Sequence, residues 1–410
     1  MLAQPKLALF GPFPDAKSLE TESVQQAVDD ANALAGPQGP YPRLKLEVFN
    51  TGSGEDPTAL ARRVAADSDV LAVVVHGEDG VGPGPLAVFE KAHLAVVAAS
   101  SWAQPRPVLA YVTWLCPSLG DLASTAALYA KKGEGRTLQI AVVDDGSTTS
   151  TAAARAFAAR YRALGGKIPF ETSWAGDEAS LSATVKSMDA QWPQMVFYTG
   201  GAQSAGRLVL AMKKEKALRN ADLFGMPPVF DDAFFNTTRV KGMRTRSIFP
   251  CPDYDGMNAL VRDLGFAFPR TSPQYHAYIH YDFRHPGLWT GMLYDGTAPA
   301  ARAVREAAMP AGTEAEAASA TAGASLSSTA SALSPTATAT ELVDASVVVP
   351  TRDAVRLALL GIGGYKGMRG EVKFNAAREP SEPKAMIYFA LNRVNSKEML
   401  WKQRAYGPPF

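Results

Sequence analysis

Short runs of consecutive apolar residues recur along the first 250 or so positions of the chain. Strands covered by helices on both faces have continuous apolar runs, whereas strands with one face in water alternate apolar and polar residues. The runs therefore predict buried strands of a largely parallel sheet. These strands are predicted at 6–10, 44–49, 70–75, 94–99, 108–115, 138–143, 168–174, 195–198, 228–230, 247–249 and 385–390.

Stretches with a helical spacing of apolar residues lie between these runs. Val24, Val28 and Ala31, for instance, fall on one stripe of a helix over 18–35. Further helices are predicted at 57–66, 152–164, 181–188, 205–216, 257–264, 273–281, 288–308 and 352–360. The regular alternation of strand and helix predicts a doubly wound α/β architecture.

The chain is long and nearly neutral. Its 410 residues predict two domains, because single cores rarely grow beyond about 250–300 residues. Lys and Arg total 41 and Asp and Glu total 40, so charge gives no argument for nucleic acid or an anionic membrane surface as a partner. Residues 310–346 consist mostly of Ala, Ser and Thr without Lys or Arg, which predicts a disordered or poorly packed surface insertion.

The N-terminal residues do not have the pattern of a secretory signal. Before the strand predicted at 6–10 there is neither a basic start nor an apolar stretch of roughly 7–15 residues. We therefore expect either a cytoplasmic protein or a mature chain whose signal has been removed. No apolar run approaches the ~20 residues that cross a bilayer as a helix.

Motifs for cofactor or metal chemistry are weak in this sequence. The stretch 80–85 lacks the third glycine of a dinucleotide loop, and its prolines remove N–H groups that would bind pyrophosphate. His276 and His280 have a spacing that could chelate zinc, but an exposed helical face is the simpler explanation. Cys116 and Cys251 have no metal-binding spacing, and either a disulfide or two buried thiols fits them. We predict no cofactor, no metal site and no catalytic residue.

Several short motifs occur in an order that resembles one known family. Gly11-Pro12 follows the first strand, Asp56-Pro57 follows the second, and Tyr294-Asp295 lies in a long helix. Residues 366–375, Lys-Gly-Met-Arg-Gly-Glu-Val-Lys-Phe-Asn, carry the most specific pattern. In this order the motifs resemble type I periplasmic solute-binding proteins of ABC importers, in the branch that binds the branched-chain amino acids Leu, Ile and Val.

The resemblance implies two Rossmann-like α/β lobes joined by a three-segment hinge, with the ligand cleft between them. The hinge crossings would fall near 116–120, 250–253 and 369–372. Lobe I would contain 1–117 and 252–370, including the insertion 310–346, and lobe II would contain 118–251 and 371–410. Cys116 and Cys251 would then lie at or next to crossings, where a disulfide would staple the hinge.

The resemblance also implies ligand contacts in the loops after the strands. These loops would supply donors for a ligand carboxylate, an acidic group for its ammonium and a pocket for its side chain. The implied contact residues are Phe13, Asp79, Gly80, Val81, Ser100, Ser101, Trp102, Thr148, Thr149, Gly201 and Asp231. Helix capping at Thr148 and Thr149, and an ordinary turn at Asp231, are open alternatives.

This sequence departs from the family at three of these loops. The family's carboxylate-binding Ser is absent from 77–82, where Glu78 and Asp79 would repel a carboxylate. Small residues replace the family's aromatic residues near Thr149 and at Gly201. The cleft is therefore predicted to be roomier, with space for a larger or differently shaped solute.

The resemblance predicts a binding protein rather than an enzyme. It would capture a small polar ligand, an amino acid or a similar compound, by hinge closure and deliver it to the membrane subunits of an ABC permease. It would act as a monomer in the periplasm or at the cell surface, without nucleic acid. The alternative is a cytoplasmic ligand sensor of the amide-sensing type on the same fold.

Overall fold

The computed structural model describes residues 4–13, 18–34, 43–77, 82–100, 109–133, 138–174, 176–229, 233–234, 237, 245–250, 289–308, 350–367, 370–381, 386–392 and 399–405. The helices predicted at 257–264 and 273–281 and the insertion 310–346 lie outside these residues, and so does Cys251. Cys116 is buried, and its pairing with Cys251 stays a prediction.

Five parallel strands form the first sheet. They are β1 (Lys6–Gly11), β2 (Lys45–Asn50), β3 (Val70–Val75), β4 (Ala95–Ala98) and β5 (Val112–Trp114). Their order is β2-β1-β3-β4-β5, and each neighbouring pair is parallel. Every residue of β3 is buried, as its continuous apolar run predicts for a strand covered on both faces.

The second sheet combines parallel and antiparallel strands. The remaining strands are β6 (Gln139–Asp144), β7 (Lys167–Ser173), β8 (Met195–Tyr198), β9 (Asp222–Gly225), β10 (Thr245–Phe249), β11 (Gly364–Gly367), β12 (Gly370–Lys373), β13 (Met386–Asn392) and β14 (Met399–Ala405). The second sheet has the order β14-β13-β10-β9-β8-β6-β7, in which β13 and β14 are antiparallel to their neighbours. β11 and β12 form a separate antiparallel hairpin.

Helices cover both faces of each sheet. They are α1 (Leu19–Leu34), α2 (Pro57–Ala66), α3 (Pro83–Lys91), α4 (Leu119–Leu128), α5 (Thr148–Ala163), α6 (Glu178–Asp189), α7 (Ala202–Met212), α8 (Trp289–Ala307) and α9 (Arg352–Gly361). On the first sheet, α1, α8 and α9 pack on one face and α2 and α3 on the other. On the second sheet, α6 and α7 pack on one face and α4 and α5 on the other. These two α/β lobes confirm the predicted fold class.

Local sequence signals explain where helices begin. Asp56 precedes α2 and its side chain accepts a hydrogen bond from Ala59 N at 2.9 Å, while Pro57 fits the first turn because its missing N–H needs no partner there. Ser118 and Asp121 form a reciprocal capping box at the start of α4. The helix predicted at 57–66 is therefore confirmed with its bounds.

The segment after β12 lies against the first sheet. Trp114 N donates to Arg378 O at 2.8 Å, and the Arg378 guanidinium donates to Thr113 Oγ1 at 3.1 Å. The next described residues, in β13, belong to the second sheet. The chain thus passes to the second sheet after Ser381, later than the crossing expected near 369–372.

The prediction of a strand at 228–230 is wrong. The strand lies earlier, in β9, and Pro227–Val229 forms a 3-10 turn. Pro227 and Pro228 have no backbone N–H to donate to a ladder, so this pair does not fit a central strand. Strands β9, β11, β12 and β14 were not predicted, and the strand predicted at 108–115 shortens to β5.

Candidate functional site

The carboxyl ends of β1, β3 and β4 meet at one edge of the first sheet, and Phe13, His76 and Ser100 follow these strands. The Phe13 ring stacks on the His76 ring with centroids 5.9 Å apart. Ser100 Oγ lies 3.3 Å from His76 Nδ1 and accepts a hydrogen bond from Gly77 N at 2.6 Å. Open α/β sheets bind ligands at this edge. The structure thus brings together two predicted contact residues, Phe13 and Ser100, with a histidine between them.

Two glycines and an asparagine shape this edge. A Cβ at Gly11 would lie 2.6 Å from His76 O, so the end of β1 needs a residue without a side chain. Gly77 has a φ of 74°, in the left-handed region that favours glycine. Asn50 holds the turn after β1, because its side chain accepts from Phe13 N at 3.0 Å and donates to Phe13 O at 2.8 Å.

His76 and Ser100 do not form a catalytic pair. A serine beside a histidine is the arrangement that activates a nucleophile in many hydrolases. Burial lowers the pKa of His76 to about 4, so the imidazole is neutral and a weak base at pH 7. Ser100 Oγ already accepts from Gly77 N. The pair therefore orders the loop after β3.

The buried His76 predicts a specific pH dependence of stability. Its folded-state pKa is about 4 and its ordinary value is 6.5, so between these values the unfolded chain binds a proton that the folded chain does not. The free energy of unfolding should therefore fall as the pH drops below about 6.5. Between pH 7 and pH 5, we expect the wild type to lose about 2 kcal/mol more than His76→Asn. Urea unfolding at the two pH values measures this difference.

His93→Asn is the matched control, at an exposed histidine of the same lobe. This variant should keep the wild-type difference between pH 7 and pH 5. If His76→Asn and the wild type lost the same stability over that interval, a neutral, buried His76 would be ruled out.

Trp289 connects this site to the second lobe. It is the first residue of α8, and its ring centroid lies 5.0 Å from that of His76. The indole packs against the apolar cluster of the first sheet and also against the cluster that α6 and α7 form with the second sheet. Trp289 therefore contacts both lobes beside the edge where a ligand is expected.

The loop after β6 is anchored to the loop after β8. Ser147 caps α5 by accepting a hydrogen bond from Ser150 N at 3.2 Å, and Ser150 Oγ lies 2.6 Å from Thr199 Oγ1. Thr148 and Thr149 lie in the first turn of α5, and their side chains form no hydrogen bond with another residue of the described ranges. Ser147 is therefore the cap, and the ligand contacts of Thr148 and Thr149 stay predictions.

A cavity of about 450 Å³ lies at the carboxyl ends of β7, β8 and β9. Its lining includes Gly176, Gly201, Ser204, Arg207 and Pro228. A Cβ at Gly201 would meet no heavy atom within 4 Å, so this predicted contact residue faces open space. The volume falls in the range of small-molecule sites, about 300–1,000 Å³.

Tyr198 and Ser204 build one wall beside this cavity. Tyr198 Oη donates to Ser204 Oγ at 2.8 Å, and Ser204 Oγ donates to Gly201 O at 3.0 Å. Burial raises the pKa of Tyr198 to about 12, so the phenol keeps its proton. A Cβ at Gly200 would lie 2.3 Å from Tyr198 Oη, which explains the glycine at that position.

The remaining predicted contacts, Asp79, Gly80, Val81, Ser101, Trp102 and Asp231, lie outside the described residues, and their roles stay predictions. His76, Trp289 and Arg207 were not predicted as site residues. His76 only ends the apolar run of β3, and the other two lie in helices where periodicity gives no reason to single them out. In the described ranges, no group of three or more His, Cys, Asp or Glu residues could hold a metal ion, and no helix is long and apolar enough to span a membrane.

The comparison with known proteins agrees with this geometry. A family model for periplasmic binding proteins matches residues 8–285, more than half of the chain. The chain belongs to the periplasmic binding protein family. No curated protein matches the sequence of this periplasmic binding protein.

Solved structures similar to this periplasmic binding protein share its fold at low sequence identity. An ABC transporter substrate-binding protein from Desulfitobacterium hafniense, in complex with Leu, is 15% identical with a TM-score of 0.67, over 97% of this chain and 100% of that one. LivJ from Streptococcus pneumoniae, in complex with isoleucine, is 14% identical with a TM-score of 0.67, over 97% and 100%. A solute-binding protein from R. palustris, in complex with 4-hydroxybenzoate, is 12% identical with a TM-score of 0.68, over 99% and 98%.

Proposed function

We propose that this periplasmic binding protein captures a small polar solute between its lobes and passes it to the membrane subunits of an ABC permease. The observation that carries the proposal is the placement of polar loop residues and a cavity at the carboxyl ends of the strands, with Trp289 in contact with both lobes. The ligands in the similar structures, Leu, isoleucine and 4-hydroxybenzoate, support a solute of that size.

Capture would proceed by hinge closure. A solute that contacts both lobes binds the closed form more tightly than the open form, so its binding shifts the population toward closure. The protein would act as a monomer outside the cytoplasm, without a cofactor and without catalysis. Family membership favours this over a cytoplasmic amide sensor.

A screen by thermal unfolding tests the proposal. The compounds are amino acids, small amides, aromatic acids and short peptides. A ligand that binds only the folded state stabilises it by about 4 kcal/mol at a thousand times its Kd, and this raises the Tm. We expect at least one class to raise the Tm, and small-angle scattering of that complex to show a more compact particle than the ligand-free protein.

A cavity-filling variant makes the screen specific. Gly201→Trp places a large side chain in open space at the cavity and should abolish the rise in Tm. Gly361→Trp is the matched control, because its added Cβ also meets nothing within 4 Å but lies at the end of α9. If no class raised the Tm and scattering stayed unchanged throughout, the proposed function would be refuted.

A further inference from the structure

Arg207 has no polar partner among the described residues. It lies on α7 and lines the cavity, and its Nε is buried without a hydrogen bond. Other arginines with buried groups are satisfied within the chain: Arg378 donates to backbone carbonyls, and Arg246 pairs with Asp222. Because burying cationic donors without acceptors is costly, Arg207 indicates an acceptor that comes from outside the chain.

The start of α7 contributes further donors to the same cavity. Gly201 precedes the helix and provides no side-chain cap, so the N–H groups of Ala202 and Gln203 lack the usual acceptor. Both residues line the cavity. The hydroxyl of Ser204 is already hydrogen-bonded to Tyr198 and Gly201. The donors left for a ligand, within the described part of the chain, are therefore the guanidinium and the helix N-terminus.

The nearest described carboxylates are engaged elsewhere. Asp144 accepts hydrogen bonds from Gly146 N and Thr151 Oγ1, and Asp145 accepts one from Ser147 N. Neither carboxylate is part of the described cavity lining. Positive charge and N–H donors thus dominate the lining, and such a lining favours an anion.

We propose that Arg207 binds a carboxylate of the captured solute, with the N-terminus of α7 as the second donor, and that the solute is an organic acid rather than a neutral amide. The inference rests on the proposed function, because it names the ligand chemistry of that site. A guanidinium presents two parallel N–H groups that match the two oxygens of a carboxylate. A primary amide of the same shape lacks the negative charge and one acceptor, so it leaves part of this donor set unpaired.

Calorimetric titration of the full chain with matched acids and amides tests the inference. The pairs are succinate and succinamide, glutamate and glutamine, and benzoate and benzamide. We expect at least one acid to bind more tightly than its amide. Arg207→Gln should weaken that acid by about 30-fold or more, and Arg207→Lys should weaken it less because the charge remains.

Two controls separate a lost contact from a damaged fold. Arg219→Gln removes an exposed arginine from the same lobe and should bind the acid as the wild type does. The ligand-free Arg207→Gln protein should melt at or above the wild-type temperature, because the variant removes an unpaired charge. A variant that melted lower would show that Arg207 has a structural role and would overturn the inference.

The binding results distinguish this inference from the proposed function. Acid binding that survives Arg207→Gln within about threefold would overturn the inference, and so would amide binding as tight as that of the acid. In both cases a solute is still captured, and the proposed function stands. If none of the acids bound while other compounds raised the Tm, only the carboxylate assignment would be lost. Silence in both experiments would sink both proposals.

Discussion

Replacing Asp222 by alanine is expected to lower the free energy of unfolding by about 3–5 kcal/mol. Asp222 in β9 pairs with Arg246 in β10, and their side chains are only 8% and 2% exposed. Without the carboxylate, Arg246 would be a buried cation with the neutral hydroxyl of Tyr129, 3.3 Å away, as one acceptor. Removing one member of a buried ion pair costs more than the pair itself contributes, because the remaining charge stays desolvated.

Urea unfolding, followed by circular dichroism and by fluorescence, measures this loss. Glu306→Ala is the control, because Glu306 forms an exposed pair with Arg302 on α8, and it should cost about 0.5 kcal/mol or less. Asp222→Leu combined with Arg246→Met should recover most of the stability, since it removes both charges. A loss below about 1 kcal/mol in Asp222→Ala would show that the pair is not effectively buried.

Replacing Arg378 by methionine is expected to cost about 2–3 kcal/mol. The guanidinium donates to the carbonyl oxygens of Leu359, Ile362 and Leu360, at 2.6, 2.8 and 3.1 Å. These carbonyls lie where α9 ends, and the last carbonyls of a helix have no donor within the helix. A cation at this end also opposes the helix dipole. Methionine keeps much of the apolar stem and removes the donors.

The loss should be concentrated at the end of α9. Urea unfolding gives the global change, and hydrogen exchange of the α9 amides shows where protection falls. Arg62→Met is the control, at an exposed arginine of α2 in the same lobe. If the two variants exchanged alike throughout α9, the capping role of Arg378 would have to be abandoned.

Hydrophobic patterning predicted the central strands well because burial on both faces demands it. The runs for β3 and β8 match the structure residue for residue. β9 was missed because it is short and begins with a charged residue, and Asp222 becomes acceptable in the core only through its partner Arg246. That partner lies on a neighbouring strand, so local patterning cannot show the pairing. The glycine-rich hairpin of β11 and β12 likewise carries no apolar run.

The site was predicted in part, for a similar reason. Phe13, Ser100 and Gly201 follow strands, and parallel topology brings such positions to one edge of a sheet. Trp289 and Arg207 lie on helices, where an apolar or charged residue fits an ordinary amphipathic pattern. Only the packing of α8 between the lobes, and the cavity beside α7, distinguish them from neighbouring residues.

The indole of Trp289 is a natural optical probe of lobe motion. It packs against both apolar clusters, so a rotation of one lobe relative to the other changes the polarity around it. Trp114 and Trp174 are buried within single lobes and should change little. The emission wavelength of Trp289 would thus follow the interlobe angle, and stopped-flow mixing would give opening and closing rates on the unlabelled protein.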